Sequence, residues 1–285
     1  MIIGLVVVLG AVIGGFIMAG GKVGVLIQVA EYVVILGAAI GSILVGNPPS
    51  IFGKLFKEIM ALMKPTPYNK AAYMSLLKMM FAMFNQARRD GLLVLEPHVE
   101  RPHESEIFKR CPELLSNTNA LAFMADTAKV VLTGAVSPHD LMEMMEIDIE
   151  VYKEERSHCA HIMQTTGDAM PGFGIVAAVL GVIVTMGSIG GDPAAIGAHV
   201  AAALVGTMLG VLFAYGIFNP IAASLAMRNA QEVQYLHCIR YAIFSFARGE
   251  SPITCVEFAR RNIEPHYRPG FSEMEATVRE KKEAA

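Results

Sequence analysis

The sequence comprises 285 residues, of which 54% are hydrophobic and 17% charged, with a mean hydropathy of +0.47. A soluble domain carries about 25% charged residues, so a water-soluble globular protein is excluded and a multi-span membrane protein is expected. The net charge of −3 gives no nucleic-acid signature; the distribution of charge is the informative quantity, because it gathers in two blocks separated by long neutral stretches.

Crossing a hydrocarbon core takes about 20 apolar residues in a helix, and residues 2–20, 27–46, 169–189 and 196–220 meet that requirement. The first stretch opens without a basic region and ends without a cleavage pattern, so it is read as a retained span. The short loops 21–26 and 190–195 hold one basic residue, Lys22, and the blocks 47–168 and 224–285 hold the other 22 of 23. The positive-inside rule therefore places both blocks and the N-terminus in the cytoplasm. The expected fold is all-α: a polytopic membrane protein with four transmembrane helices and a large helical cytoplasmic insertion. Its predicted divisions are 1–46 for the first two spans, 47–168 for the cytoplasmic insertion, 169–223 for the last two spans and 224–285 for a C-terminal cytoplasmic helical region.

Within the insertion, Tyr73, Leu77, Phe81 and Phe84 recur at helical spacing before Gly91 ends the run. Ser137, Pro138 and Asp140 read as an N-cap with proline at the first helical position. The helix they open continues through Leu141, Met144, Met145 and Ile149 toward the third span. Beyond Pro220 the fourth span extends into a helix carrying Arg228, Glu232 and Arg240, projecting past the lipid. Cys111, Cys159, Cys238 and Cys255 show no CxxC pairing or metal-ligand spacing, which predicts reduced thiols and no metal centre. No P-loop, nucleophile triad or metal cluster is present in the sequence pattern, so neither an enzyme nor a cofactor is expected.

The spans hold no ionisable group near mid-bilayer, where a carrier of ions usually keeps one despite a cost of roughly 2.5–3.5 kcal/mol. Glu31 lies toward the outer end of the second span, where water reaches it, and reads either as an interfacial carboxylate or as an ion-access group. His199 reads as interfacial. Small residues recur at four-residue spacing: Gly10 and Gly14, Gly37 and Gly41, Ala177 and Gly181, Gly206 and Gly210. Such faces let helices approach closely. In the first two spans they are read as packing within the chain. In the last two, with Thr207 as a mid-depth hydroxyl, they are read as a surface along which another helix lies and moves. Pro171 and Pro220 frame the cytoplasmic mouth of spans three and four, with Gly172 and Gly174 beside the first.

Four stretches in combination, AEYVVILGAAIGSILVGN, ESEIF, MPGFGIVAAVLGV and VGTMLGVLFAYGIFNP, resemble the A subunit of the bacterial flagellar motor stator, the MotA family, over nearly the whole chain. The resemblance implies an inner-membrane homopentamer around a dimer of a single-span stator B subunit (MotB), whose aspartate accepts the proton that this chain has no group to carry. It also implies that Pro171 and Pro220 are the functional prolines, that Thr207 and Tyr215 are the functional hydroxyls of span four, and that Glu31 is the family's span-two glutamate. Arg88 and Glu96 are then the charges that meet the rotor protein FliG, with Arg89 and Asp90 as background.

In sodium-driven relatives, Ala178 and the pair Gly206–Thr207 are positions of threonine, and this sequence keeps one of those three hydroxyls. Dehydrated sodium needs several oxygen ligands, so the inventory favours protons as the coupling ion. The expected function is conversion of proton flow into torque on the rotor, at the membrane and without covalent chemistry. The competing readings are a sodium-driven stator, an energiser like the ExbB and TolQ proteins working through a different partner, and a passive membrane scaffold.

Overall fold

The computed structural model describes residues 2–187 and 193–279. The far end of the third span at Ile189, the first part of the loop expected at 190–195, and residues 280–285 lie outside the described residues. All regular structure described is helical: α1 (Ile2–Met18), α2 (Val29–Gly46), α3 (Ile51–Ala61), α4 (Lys70–Asp90), α5 (Glu96–Glu100), α6 (Pro112–Ser116), α7 (Thr118–Thr133), α8 (Pro138–Met186), α9 (Pro193–Phe213), α10 (Asn219–Ala247), α11 (Pro252–Arg261) and α12 (Phe271–Arg279), with a π-turn, Ala214–Phe218, joining α9 to α10. Three helical stretches are long and apolar enough to cross a membrane, Val23–Gly46, Pro138–Met186 and Ile196–Ala247, and α1 is a shorter apolar helix of 17 residues.

The chain folds as two units, one built from residues 1–65 and 156–227, the other from 66–155 and 228–285. Helices α8 and α10 each contribute to both, and α8 runs 49 residues without interruption, more than twice what a span requires. Its start is set by local chemistry, as predicted: the Ser137 hydroxyl accepts from the Asp140 N–H at 3.2 Å and donates to the Asp140 carboxylate at 2.8 Å.

In the first unit, Ile35 and Ala39 of α2 pack with Met170 and Ala177 of α8 and with Val205 and Leu209 of α9. A second cluster joins Ile43 of α2 and Ile51 and Leu55 of α3 to Cys159, Ile162 and Met163 of α8 and to Ala222 and Leu225 of α10. Arg156 and Glu58 form an ion pair beside that cluster. No residue of α1 is buried, and Ile175, Val176, Val179 and Leu180 of α8 are exposed. An all-round apolar exterior of this kind is stable only against lipid or other apolar helices.

The second unit is a conventional helical core. Asn69 caps α4 by accepting from the Ala72 N–H at 3.0 Å, and Gly91 ends it at φ +91°, a backbone angle that a side chain disfavours. Between those stops Tyr73, Leu77 and Phe84 are fully buried and Phe81 is half-buried, with Met79, Met80 and Met83 filling the gaps between larger side chains. Phe84 stacks on Phe246 of α10 at 4.5 Å between ring centroids, and Tyr235 packs against both Tyr68 and Tyr73.

Glu232 and Arg240, on the helix expected to project past the lipid, are buried in this core. Asn117 donates to Glu232 at 3.1 Å, and Arg240 pairs with Glu146 and donates to the Met142 sulfur at 3.3 Å. A buried charge is tolerated only when it is paired and hydrogen-bonded, and α10 supplies charges where α6–α8 supply their partners.

All four cysteines are buried and free. Burial pushes the Cys111 and Cys255 thiols up to about 11 and the Cys238 thiol higher still. Because the thiolate is the nucleophile, these groups are expected to react slowly with a maleimide at pH 7.5 in the native protein. Full labelling should appear only after denaturation; rapid stoichiometric labelling of folded protein would contradict the buried placement.

Candidate functional site

The site of interest in the first unit lies where α8 crosses α9. Glycines set the crossing. A Cβ added to Gly174 would fall 2.8 Å from the Gly206 carbonyl oxygen and 3.0 Å from the Gly210 Cα. One added to Gly210 would fall 2.7 Å from the Met170 carbonyl oxygen and 2.8 Å from the Gly174 Cα. One added to Gly181 would meet Ala203, and one added to Gly206 would meet Ala177 at 3.2 Å. The obstacles at Gly174 and Gly210 are backbone atoms, so no side-chain movement relieves them.

This distribution reverses the expected use of the small-residue faces. The faces of α8 and α9, read as open to a second molecule, are consumed by the contact between these two helices. Around Gly10, Gly14, Gly37 and Gly41, read as packing within the chain, an added Cβ would meet nothing within 4 Å. A four-residue spacing shows that a face permits close approach, but the partner is chosen by the complementary face.

The position of Glu31 also differs from expectation. It lies in the first turn of α2, is 6% exposed, and is not open to water. Its Oε2 fills the space beside Gly206, 2.5 Å from where a Cβ there would stand, and has no hydrogen-bond partner among the described residues. Because Gly206 has no side chain, the carboxylate folds against α9 and not outward. His199, on the same helix, has a buried Nδ1 with no hydrogen-bond partner among the described residues. Thr207, next to Gly206, is half-buried, as is Ala178 on α8. Tyr32 of α2 packs against Phe213 of α9 at 6.1 Å.

At the opposite end of the crossing, both prolines interrupt backbone hydrogen bonding. Pro171 lies inside α8 and cannot donate to the Gly167 carbonyl; Pro220, in the first turn of α10, cannot donate to that of Gly216. The turn before Pro220 is π-helical, with the Asn219 N–H bonded five residues back to the Ala214 carbonyl. Single π-turns recur at functional positions in helices. Tyr215 sits on this turn and is 66% exposed, and Gly216 lets α1 approach, its absent Cβ standing 2.9 Å from a Val8 methyl. Two residues not singled out in the sequence join the prolines here: Asn219 donates to Asp168 at 3.0 Å. Polar residues at the end of an apolar stretch look interfacial, and nothing local indicated their pairing.

In the second unit, Arg88 lies in the last turn of α4 and Glu96 begins α5, both exposed around the Gly91 corner. Neither takes part in an ion pair among the described residues, whereas Arg89 forms two bonds, 2.7 and 2.8 Å, to the Asp90 carboxylate. Arg88 borders a cavity of about 470 Å³ lined also by Leu92, Val136, Phe246 and Glu250. Glu96 borders another with Leu93, Lys129 and Leu132.

Comparison with known proteins gives two family matches: Motility protein A N-terminal over residues 2–91, and the MotA/TolQ/ExbB proton channel family over residues 100–237. Motility protein A of Escherichia coli (strain K12) is 37% identical over 98% of this chain and 95% of its own length. Chemotaxis protein LafT of Vibrio parahaemolyticus is 34% identical over 98% of both. Among solved structures, that of C. jejuni MotAB shares the fold with a TM-score of 0.76 at 24% identity, covering 93% of this chain and 95% of that one.

The glycine geometry makes a differential prediction. Gly210→Ala is expected to destabilise the protomer in detergent by about 1–3 kcal/mol, the usual cost of overpacking, seen as a lowered unfolding temperature. Gly14→Ala, with open space around it, should leave that temperature unchanged; equal losses in both would contradict the crossing described.

Proposed function

Because the chain belongs to the motility protein A branch of the MotA/TolQ/ExbB proton channel family, we propose that it works as the proton-driven, torque-generating subunit of the flagellar motor stator. It is a channel component embedded in the membrane and not an enzyme. The observation that carries the mechanism is an absence among the described residues: Glu31 is the only Asp, Glu, Lys or Arg in the apolar parts of α1, α2, α8 and α9. That single carboxylate is enclosed within the protomer against Gly206, so this reading takes the proton acceptor from another chain. The solved relative is a MotAB assembly, and the reading assigns the acceptor aspartate to a MotB-type, single-span B subunit present as a dimer inside a homopentamer of this chain.

In this reading α1 also crosses the membrane, making four spans, the protein lies in the bacterial inner membrane, and both termini are cytoplasmic, as the basic blocks require. Pro171 and Pro220 frame the mouth at which the partner carboxyl exchanges protons with the cytoplasm. Thr207 and Tyr215 offer hydroxyls to water or to that carboxyl. Ala178 and Gly206 are positions where an oxygen-rich sodium site would need hydroxyls, and their lack favours protons. Glu31, held against Gly206, lies beside the path and not on the water-facing rim. No cofactor is needed; the proton is the coupling ion. Each charge crossing 100 mV releases about 2.3 kcal/mol, and Arg88 and Glu96 transmit the resulting step to charges of the rotor protein FliG.

Two experiments test this. In a strain lacking its own stator and supplied with this chain and its B subunit, swimming should stop with a proton uncoupler and persist without sodium, and Pro171→Leu should assemble normally yet lose torque roughly tenfold or more, equivalent to about 1.4 kcal/mol or more at the rate-limiting step. Sodium-dependent swimming that survives the uncoupler excludes proton drive, and normal torque with Pro171→Leu excludes the mouth. Separately, Arg88→Glu should lower stall torque, and an opposite charge change on the rotor protein should restore part of it; no recovery with any rotor charge change would remove Arg88 from the contact.

A further inference from the structure

Asp168 and Asn219 face each other beside the two prolines. Asp168 Oδ1 accepts from Asn219 Nδ2 at 3.0 Å and from Gln164 Nε2 at 2.9 Å. The other end of the Asn219 amide, Oδ1, is buried without a partner and lies over Gly167, where an added Cβ would stand 1.9 Å from it. Gly167 is therefore a seat shaped for this amide.

The position of the pair gives it leverage. Pro171 follows Asp168 by three residues, and Pro220 directly follows Asn219, so each partner sits within one turn of a carbonyl that has lost its helical donor. Asn219 also closes the π-turn through its own backbone N–H. Two helices softened at the same level keep a fixed mutual register only where something ties them, and the amide–carboxylate bond is such a tie. It is opposed within the same side chain: a buried acceptor without a donor disfavours the seated arrangement. A contact held by one end of an amide and penalised at the other is suited to release.

We propose that Asn219 and Asp168 are positioning residues for proton-driven torque, forming a releasable latch that sets the register of α8 and α10 at the mouth, with Gly167 as its seat. This rests on the reading of Pro171 and Pro220 as the mouth. The bond, and not the charge of Asp168, carries the role, because asparagine at position 168 keeps an oxygen that accepts from Asn219.

The test uses the full-length chain with its B subunit, reading stall torque on tethered cells alongside co-purification of the two subunits. Asn219→Ala and Asp168→Ala are each expected to lower torque about threefold, and the double variant also about threefold and not ninefold, since removing either partner already removes the bond. Asp168→Asn should stay near wild type, and Gly167→Ala should match Asn219→Ala without adding to it. Co-purification should be unchanged throughout. Multiplying losses in the double variant, or a loss with Asp168→Asn as large as with Asp168→Ala, overturns the latch. If Asn219→Ala does not accumulate in the membrane, Asp168→Asn against Asp168→Ala decides alone. Normal torque with Pro171→Leu would instead sink the reading of the mouth, so the two failures are distinguishable.

Discussion

The structure of the first unit depends on backbone-to-backbone contact between α8 and α9. In lipid, helices gain nothing from hiding apolar side chains from tails that are equally apolar, and association rests on van der Waals contact and hydrogen bonds. Gly174, Gly206 and Gly210 supply that contact, because there is no side chain to hold the helices apart. Once the crossing is fixed, its surroundings follow. Met170, Ala177, Val205 and Leu209 become buried, Ile35 and Ala39 of α2 close over them, and Ile175, Val176 and Val179 are turned outward. Glu31 occupies the gap that a larger residue at position 206 would fill.

The same unit is stiff at one level and soft at another. The glycine crossing is held by close backbone contact, whereas near it Pro171 and Pro220 each remove a helical hydrogen bond and the π-turn at Ala214–Phe218 adds a residue to the winding. Missing hydrogen bonds make those ends the less constrained part of the two helices. The exposed Tyr215 and the Asn219–Asp168 bond lie there and not at the crossing.

How much of this was legible in the sequence follows from the range of each interaction. The end of α4 and the start of α8 were readable because Gly91 and Ser137 act on atoms within three residues of themselves, whereas the Asn69 cap that starts α4 was not read. The long apolar helices were readable because hydropathy sums along the chain. The small-residue faces were seen but assigned the wrong way round, since spacing does not identify the partner. The burial of Glu31 depends on Gly206, that of Glu232 on Asn117, and the pairing of Asn219 on a residue 51 positions away. Periodicity carries no trace of these contacts. The proposed channel and rotor-contact residues came from resemblance and not from pattern, because Thr207 or Arg88 taken alone is an ordinary half-buried hydroxyl or an ordinary surface charge.

In the second unit Arg88 and Glu96 are exposed with no ion pair among the described residues, as are Glu100 and Glu143. Many of its charges are neutralised internally: Arg240 by Glu146, Arg260 and Arg261 by Glu257, and Arg89 by Asp90. The Glu257 carboxyl is held below its ordinary range chiefly by the bond from Arg260. A neutralised pair projects little field beyond a Debye length of about 8 Å, whereas an exposed charge with no ion partner among the described residues keeps its field for another molecule. One such contact at a wet surface is worth no more than about 1 kcal/mol. A proton crossing 100 mV delivers about 2.3 kcal/mol. For the proposed proton-driven rotor contact these magnitudes are compatible: a contact built from exposed charges is weak enough for one proton's passage to break and remake it, which a buried pair such as Arg240–Glu146 would not allow.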